Sequence, residues 1–225
     1  MEARGARAAF CGARGVYVGR RFIAYHPLPI AHMPDQHPPE QPAATGSGPL
    51  LERRYFIDVV RPRHTAAQLM SAVQADLPRF SPELLANFER TVGQAGTLTP
   101  GDEFHIKIMG PWNGSVRVTA VGATFFELIT LEGHPEAGRI CFEAHYLNER
   151  PEVLRFEIRS LARSRDGLVA FAYDTLGGGK WMQQATWTEF CRRVAAVSGG
   201  QALADVVVET VRHDGAGHTQ IRRDA

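Results

Sequence analysis

From residue 104 to residue 161, apolar and polar side chains alternate with a period of two, broken at intervals by Gly, Asn, Asp or Pro. That is the pattern of half-buried strands joined by tight turns. Phe104, Ile106 and Ile108 alternate with His105, Lys107 and Met109 until GPWNG (110–114) stops the run, and strand signals recur at 115–121, 125–131, 139–147, 153–161 and 168–174. Upstream, RYFIDVV (54–60) is β-branched and aromatic, suits a strand, and is ended by Pro62. Thr65 then fits a helix N-cap, and Leu69, Met70, Val73 and Leu77 recur at helical spacing until Pro78. SPEL (81–84) places a capping serine, a proline and an acid in order, which predicts a second short helix over 81–92. Beyond the strands, Trp187, Phe190, Cys191 and Val194 mark one helix face, with Gln183 one turn before Trp187, and Gly199 and Gly200 stop it. The segment 203–211 is β-rich, without a place in this order.

The order is therefore strand, two short helices, six antiparallel strands and a long helix. A strongly curved antiparallel sheet cannot bury its concave face alone, so the last helix must pack into it. HPLPIAHMPDQHPPEQPAATGSG (26–48) is rich in proline and small residues and reads as a disordered linker, while 213–225 is polar and aperiodic and reads as a tail. These boundaries divide the chain into an N-terminal extension and linker (1–50), one folded domain (51–200) and a C-terminal extension (201–225).

The order of elements resembles the α+β helix-grip fold of START lipid-transfer domains, birch-pollen allergens and polyketide cyclases, with about seven strands around a long C-terminal helix. Locally, TLEGHPEAGRICFEA (130–144), RFEIRSLARSRDG (155–167) and Gln183 before an aromatic helix resemble the family catalogued as domain of unknown function nineteen-ninety. The resemblance covers the second half of the chain and implies a fold and a pocket rather than a chemistry. The first hundred residues match it weakly, and Met33 is a candidate start.

Composition narrows the partners. With 44% hydrophobic and 22% charged residues in 225, the chain has the material for one sizeable core. A formal net charge of +1 offers no footprint for nucleic acid. No apolar run reaches the roughly 18 residues of a membrane span, and the basic N-terminus lacks an apolar signal core, so the expectation is a cytoplasmic protein without stable membrane insertion. Cys11, Cys141 and Cys191 are far apart and imply no disulfide framework. His26, His32 and His37 lie in the linker without a scaffold to hold a metal, and no cofactor or metal is expected.

The candidate chemistry starts at TLEGHPEAG (130–138). Pro135, Gly133 and Gly138 are corner residues, whereas His134 and Glu136 would form an acid/base couple only with a substrate and an orienting group in reach. The hairpin at 148–152 offers a second choice. Pairing Leu147 with Val153 sets Phe142, Ala144 and Tyr146 opposite Ile158, Phe156 and Leu154, and sets Cys141, Glu143 and His145 opposite Arg159, Glu157 and Arg155. Either the apolar face is the core, which alternation favours, or Glu143, Glu157 and His145 line an interior with acid/base capacity. LGGGKW (176–181) departs from a Walker A loop at two positions, leaving a hinge or an anion contact near Lys180.

The expected ligand-binding residues are Phe142, Phe156, Ile158, Phe171, Tyr173, Gln183, Trp187 and Phe190, with Val194 further along the helix and Trp112 and Trp181 on loops at a mouth. His134, His145 and Tyr173 are the catalytic candidates. Three functions fit: an apolar small-molecule binder (lipid, isoprenoid or polyketide), favoured over the others; a cyclase or dehydratase; and a protein-interaction module with a closed pocket.

Overall fold

The computed structural model describes residues 37–108, 113–166, 178–213 and 219–224, without side chains at 178–182, 219, 220 and 224. The predicted strand 168–174 lies outside these residues. Among the described residues ten strands form one sheet: β1 (Ser47–Val60), β2 (Ala86–Val92), β3 (Glu103–Ile108), β4 (Gly114–Val121), β5 (Phe125–Thr130), β6 (Glu136–Tyr146), β7 (Val153–Ser164), β8 (Gln201–Ala202), β9 (Val207–His213) and β10 (Thr219–Asp224). Their spatial order is β10-β9-β1-β7-β6-β5-β4-β3-β2, with β8 also paired to β1, and every pairing is antiparallel. Six of the seven expected strands are among them (β1 and β3 to β7); β2 arises where a helix was expected, and the segment read as a C-terminal extension adds β8, β9 and β10 on the side of β1 away from β7.

The helices among the described residues are α1 (Ala66–Ala75), the single-turn α2 (Leu77–Phe80) and α3 (Gly178–Ser198). Thr65 caps α1 in a full capping box with Gln68. At 21 residues α3 is the longest helix among the described residues, but three strands follow it, so the chain does not end on this helix. It lies against β1 and β7, and α1 lies against β6. Phe190 sits in the centre of the core, 5.3 Å from the ring of Phe142, 6.0 Å from Phe156 and 5.8 Å from Phe80. Cys191 and Val194 are buried beside it, and Cys191 is a free thiol whose Sγ donates to the Tyr55 carbonyl. Cys141 takes part in a disulfide, which the cysteine spacing does not imply.

Two expectations are corrected. The helix foreseen over 81–92 is a strand from Ala86 onwards. Pro82 accepts from the N–H groups of Leu85 and Ala86, one helical turn that goes no further. Phe88 then pairs with Ile106 and Arg90 with Phe104. Leu84, Phe88 and Val92 do share helical spacing, but Leu84 is 88% exposed, and the ladder to β3 with Ala86 and Phe88 buried outweighs the local signal. The linker is also shorter than its composition suggests. Glu40 bridges to Leu131, a 3-10 turn occupies Ala43–Thr45, and β1 already begins at Ser47.

The hairpin register matches the pairing read from the sequence: Phe142 opposes Ile158, Ala144 opposes Phe156 and His145 opposes Arg155. Phe142, Ala144, Leu154, Phe156 and Ile158 all join the hydrophobic core. The apolar face is the helix-covered face.

Candidate functional site

The stretch TLEGHPEAG folds as a corner held from outside. Gln41, from the former linker, donates its amide N–H to the carbonyls of His134 (2.8 Å) and Glu136 (2.9 Å), and its Oε1 accepts from the N–H of Gly133 at 3.2 Å. Thr130 Oγ1 donates to the Gln41 carbonyl at 2.8 Å and accepts from the N–H of Gly138 at 3.0 Å. His134 is buried, its Nδ1 accepting from the Glu136 N–H at 3.0 Å. The same Nδ1 lies 3.0 Å from the Glu136 carbonyl oxygen, so both backbone groups of Glu136 face this ring nitrogen. Burial holds the imidazole below its usual pKa, with the charge of Glu136 pulling the other way. The ring packs against Gly114, where an added Cβ would lie 2.2 Å from Cδ2.

His134 and Glu136 are therefore not a side-chain pair: the imidazole turns to the backbone, and the Glu136 carboxylate turns the other way. Along β6, Glu136 shares the face of Ile140 and Phe142, by strict alternation through an unbroken register. Its Oε1 meets Arg53 Nη1 at 3.2 Å and its Oε2 accepts from Gln183 Nε2 at 2.9 Å. Arg53 lies on the inward face of β1, in register with Ser160 of β7, which in turn pairs with Ile140 of β6. Both side chains of the ion pair are largely buried. Tyr55, two residues along β1, is buried on the same face; burial pushes its phenol well above the usual range, and the charges of Arg53 and Glu136 act on it in opposite senses.

Among the described residues three polar atoms on this side of the sheet are buried without a hydrogen-bond partner: Oε1 of the Gln183 that bonds Glu136, Oγ of the Ser160 opposite Arg53, and Trp187 Nε1 one helical turn beyond Gln183. The orientation of the Gln183 amide is fixed, because only its nitrogen can donate to the Glu136 carboxylate. The Trp187 ring stands edge-on to Phe142 at 5.6 Å and lies 6.0 Å from Phe190. The helix-facing side of the sheet thus runs from aromatic packing at Phe156, Phe190 and Phe142 to a polar end at Trp187, Ser160, Gln183, Arg53 and Glu136.

Of the residues predicted to bind a ligand, Phe142, Phe156, Ile158 and Phe190 are fully buried core, and Gln183 and Trp187 border the polar end. Val194 is buried core as well. Phe171, Tyr173 and Trp112 lie outside the described residues, as does the side chain of Trp181. His145 stands on the opposite face of the sheet, with its Nδ1 buried and unpartnered. That face is an ion-pair network: Arg155 holds Asp58 at 2.7 Å, Arg159 holds Glu143 at 3.0 Å and Glu157 at 2.8 Å, and Arg54 reaches Glu157 at 2.5 Å and Glu209 at 2.9 Å. Glu143 and Glu157 are each matched by arginine there, so the reading that lines an interior with them is not the one the structure adopts. In the LGGGKW stretch, Gly178 and Gly179 already belong to α3. His37 lies 3.2 Å from Glu103, while His26 and His32 fall outside the described residues. Among the described residues no group of three or more His, Cys, Asp or Glu is placed to hold a metal, and no helix is long and apolar enough to cross a membrane.

Arg53, Tyr55, Glu136 as an inward carboxylate, and Ser160 were not foreseen as site residues. The period-two pattern carries the signal for Arg53 and Ser160, which fall in phase with Tyr55, Ile57, Phe156 and Ile158.

No family model matches the chain, and no curated protein matches it. Solved structures similar to it include norcoclaurine synthase from Thalictrum flavum in complex with dopamine and hydroxybenzaldehyde, at 8% identity over 77% of this chain and 98% of that one, with a TM-score of 0.45. A hypothetical protein from Helicobacter pylori is similar at 10% identity over 76% and 99%, TM-score 0.46. The allergen Ara h 8.0201 is similar at 12% identity over 64% and 99%, TM-score 0.39. The resemblance to domain of unknown function nineteen-ninety is not confirmed by any of these comparisons.

Proposed function

We propose that this chain binds an apolar small molecule of the lipid, isoprenoid or polyketide kind between α3 and the sheet, with the polar end of the ligand at Ser160, Gln183 and Trp187. The observation that carries this reading is that three polar atoms, of Ser160, Gln183 and Trp187, are buried with no hydrogen-bond partner among the described residues on the helix-facing side that also carries the Arg53–Glu136 pair and the core aromatic rings. An unsatisfied buried polar group costs about 1–3 kcal/mol, so folds retain few of them without a use. Small-molecule sites combine a mostly apolar lining with a few convergent polar groups, and this end of the interior has that composition.

The test is native mass spectrometry of the protein purified from its own host, followed by organic extraction and identification of what co-purifies. The expected result is an apolar species near one per chain, retained less well after Gln183→Ala or Trp187→Ala. An unshifted mass, together with indifference to a panel of lipids and polyketides, would overturn the reading and favour an interaction module.

A further inference from the structure

Resting on the binding reading above, we infer that the polar end of the ligand is a neutral hydroxyl, an alcohol or a phenol, rather than a carboxylate or an ammonium group. Arg53 and Glu136 offset each other's charge. Glu136 has one oxygen on Arg53 and the other on Gln183. A charged ligand group would add a third charge beside this largely buried pair and lose its own hydration. A neutral group adds no charge.

The unpartnered atoms specify the group further. Trp187 Nε1–H only donates and Gln183 Oε1 only accepts. They belong to residues one helical turn apart on the same face of α3. A hydroxyl both accepts and donates, so a single group of this kind answers the donor of Trp187 and the acceptor of Gln183. A ketone or ether satisfies Trp187 and leaves Gln183 without a donor.

The experiment is titration calorimetry of the full chain with naphthalene, naphthol and naphthoate at neutral pH, three ligands that share one apolar body. Naphthalene is the most hydrophobic, so area burial alone ranks it first. The expected result is naphthol binding about tenfold more tightly than naphthalene, the equivalent of one or two net hydrogen bonds, with naphthoate no tighter than naphthalene. Trp187→Phe keeps an aromatic ring and deletes the N–H, and Gln183→Leu deletes the acceptor. Each should reduce the ratio of naphthol to naphthalene affinity towards unity, and that ratio is read within one preparation, so altered stability does not obscure it. Equal affinity for naphthol and naphthalene would overturn the hydroxyl inference and leave the apolar-binding reading standing, as would naphthoate binding most tightly. No binding of any of the three would remove the binding reading itself, and the inference with it.

Discussion

Replacing Gln41 by alanine tests whether the end of the proline-rich stretch holds the corner that aims Glu136 inward. Three hydrogen bonds disappear, to the carbonyls of His134 and Glu136 and from the N–H of Gly133, at 2.8, 2.9 and 3.2 Å. Gln41 is only 8% exposed, so water replaces them incompletely. At about 1 kcal/mol net for each bond, and more where a carbonyl is left dry, the loss comes to about 2–4 kcal/mol. For a chain of this size that lowers Tm by about 4–16 °C. The assay is urea and thermal unfolding of Gln41→Ala beside Thr45→Ala, whose exposed hydroxyl bonds only the nearby Pro42 carbonyl and whose loss is worth within about 0.5 kcal/mol. A Gln41→Ala variant as stable as the Thr45→Ala control would refute the reasoning, because the corner would then hold itself and residues before β1 would be linker after all.

Gly114→Ala brings a Cβ to 2.2 Å from the His134 ring, and the expected cost is about 1–3 kcal/mol of overpacking in urea unfolding; a neutral effect would mean the imidazole is not packed there. His134 also gives a pH signature. Burial lowers its folded-state pKa below the unfolded value near 6.5, so the unfolded chain binds the extra proton: stability is full above about pH 6.5 and falls as pH drops through it, by at most about 1.4 kcal/mol per pH unit, until the folded-state pKa is passed. His134→Gln should flatten the urea midpoint between about pH 8 and pH 5.5 relative to wild type, and identical slopes would contradict the assignment. Phe190→Ala removes a ring packed on Phe80, Phe142 and Phe156 and should cost about 3–5 kcal/mol by the same unfolding assay; a cost under about 1 kcal/mol would show that α3 is not seated in the core.

The amino-acid sequence by itself determined the strands from β3 to β7, the register of the β6–β7 hairpin, the capped helix α1 and the apolar face of α3. Each of these is written in local periodicity and capping chemistry, interactions between residues a few positions apart. Residues 81–92 show where that logic stops, because serine, proline and glutamate suit a single turn as well as a helix, and the partner that decides for a strand is β3. The outcome at 203–224 has the same cause: a free edge of β1 more than 140 positions upstream recruits β9, as the pairing of Leu51 with Arg212 illustrates. The candidate site belonged to tertiary structure almost entirely. Gln183 and Trp187 were legible as one helix face, but nothing near Arg53 in the chain names Glu136, 83 positions away, as its partner. Alternation assigns a side chain to a face, and only the packing of β1, β6, β7 and α3 decides which polar atoms on that face meet each other and which are left for a ligand.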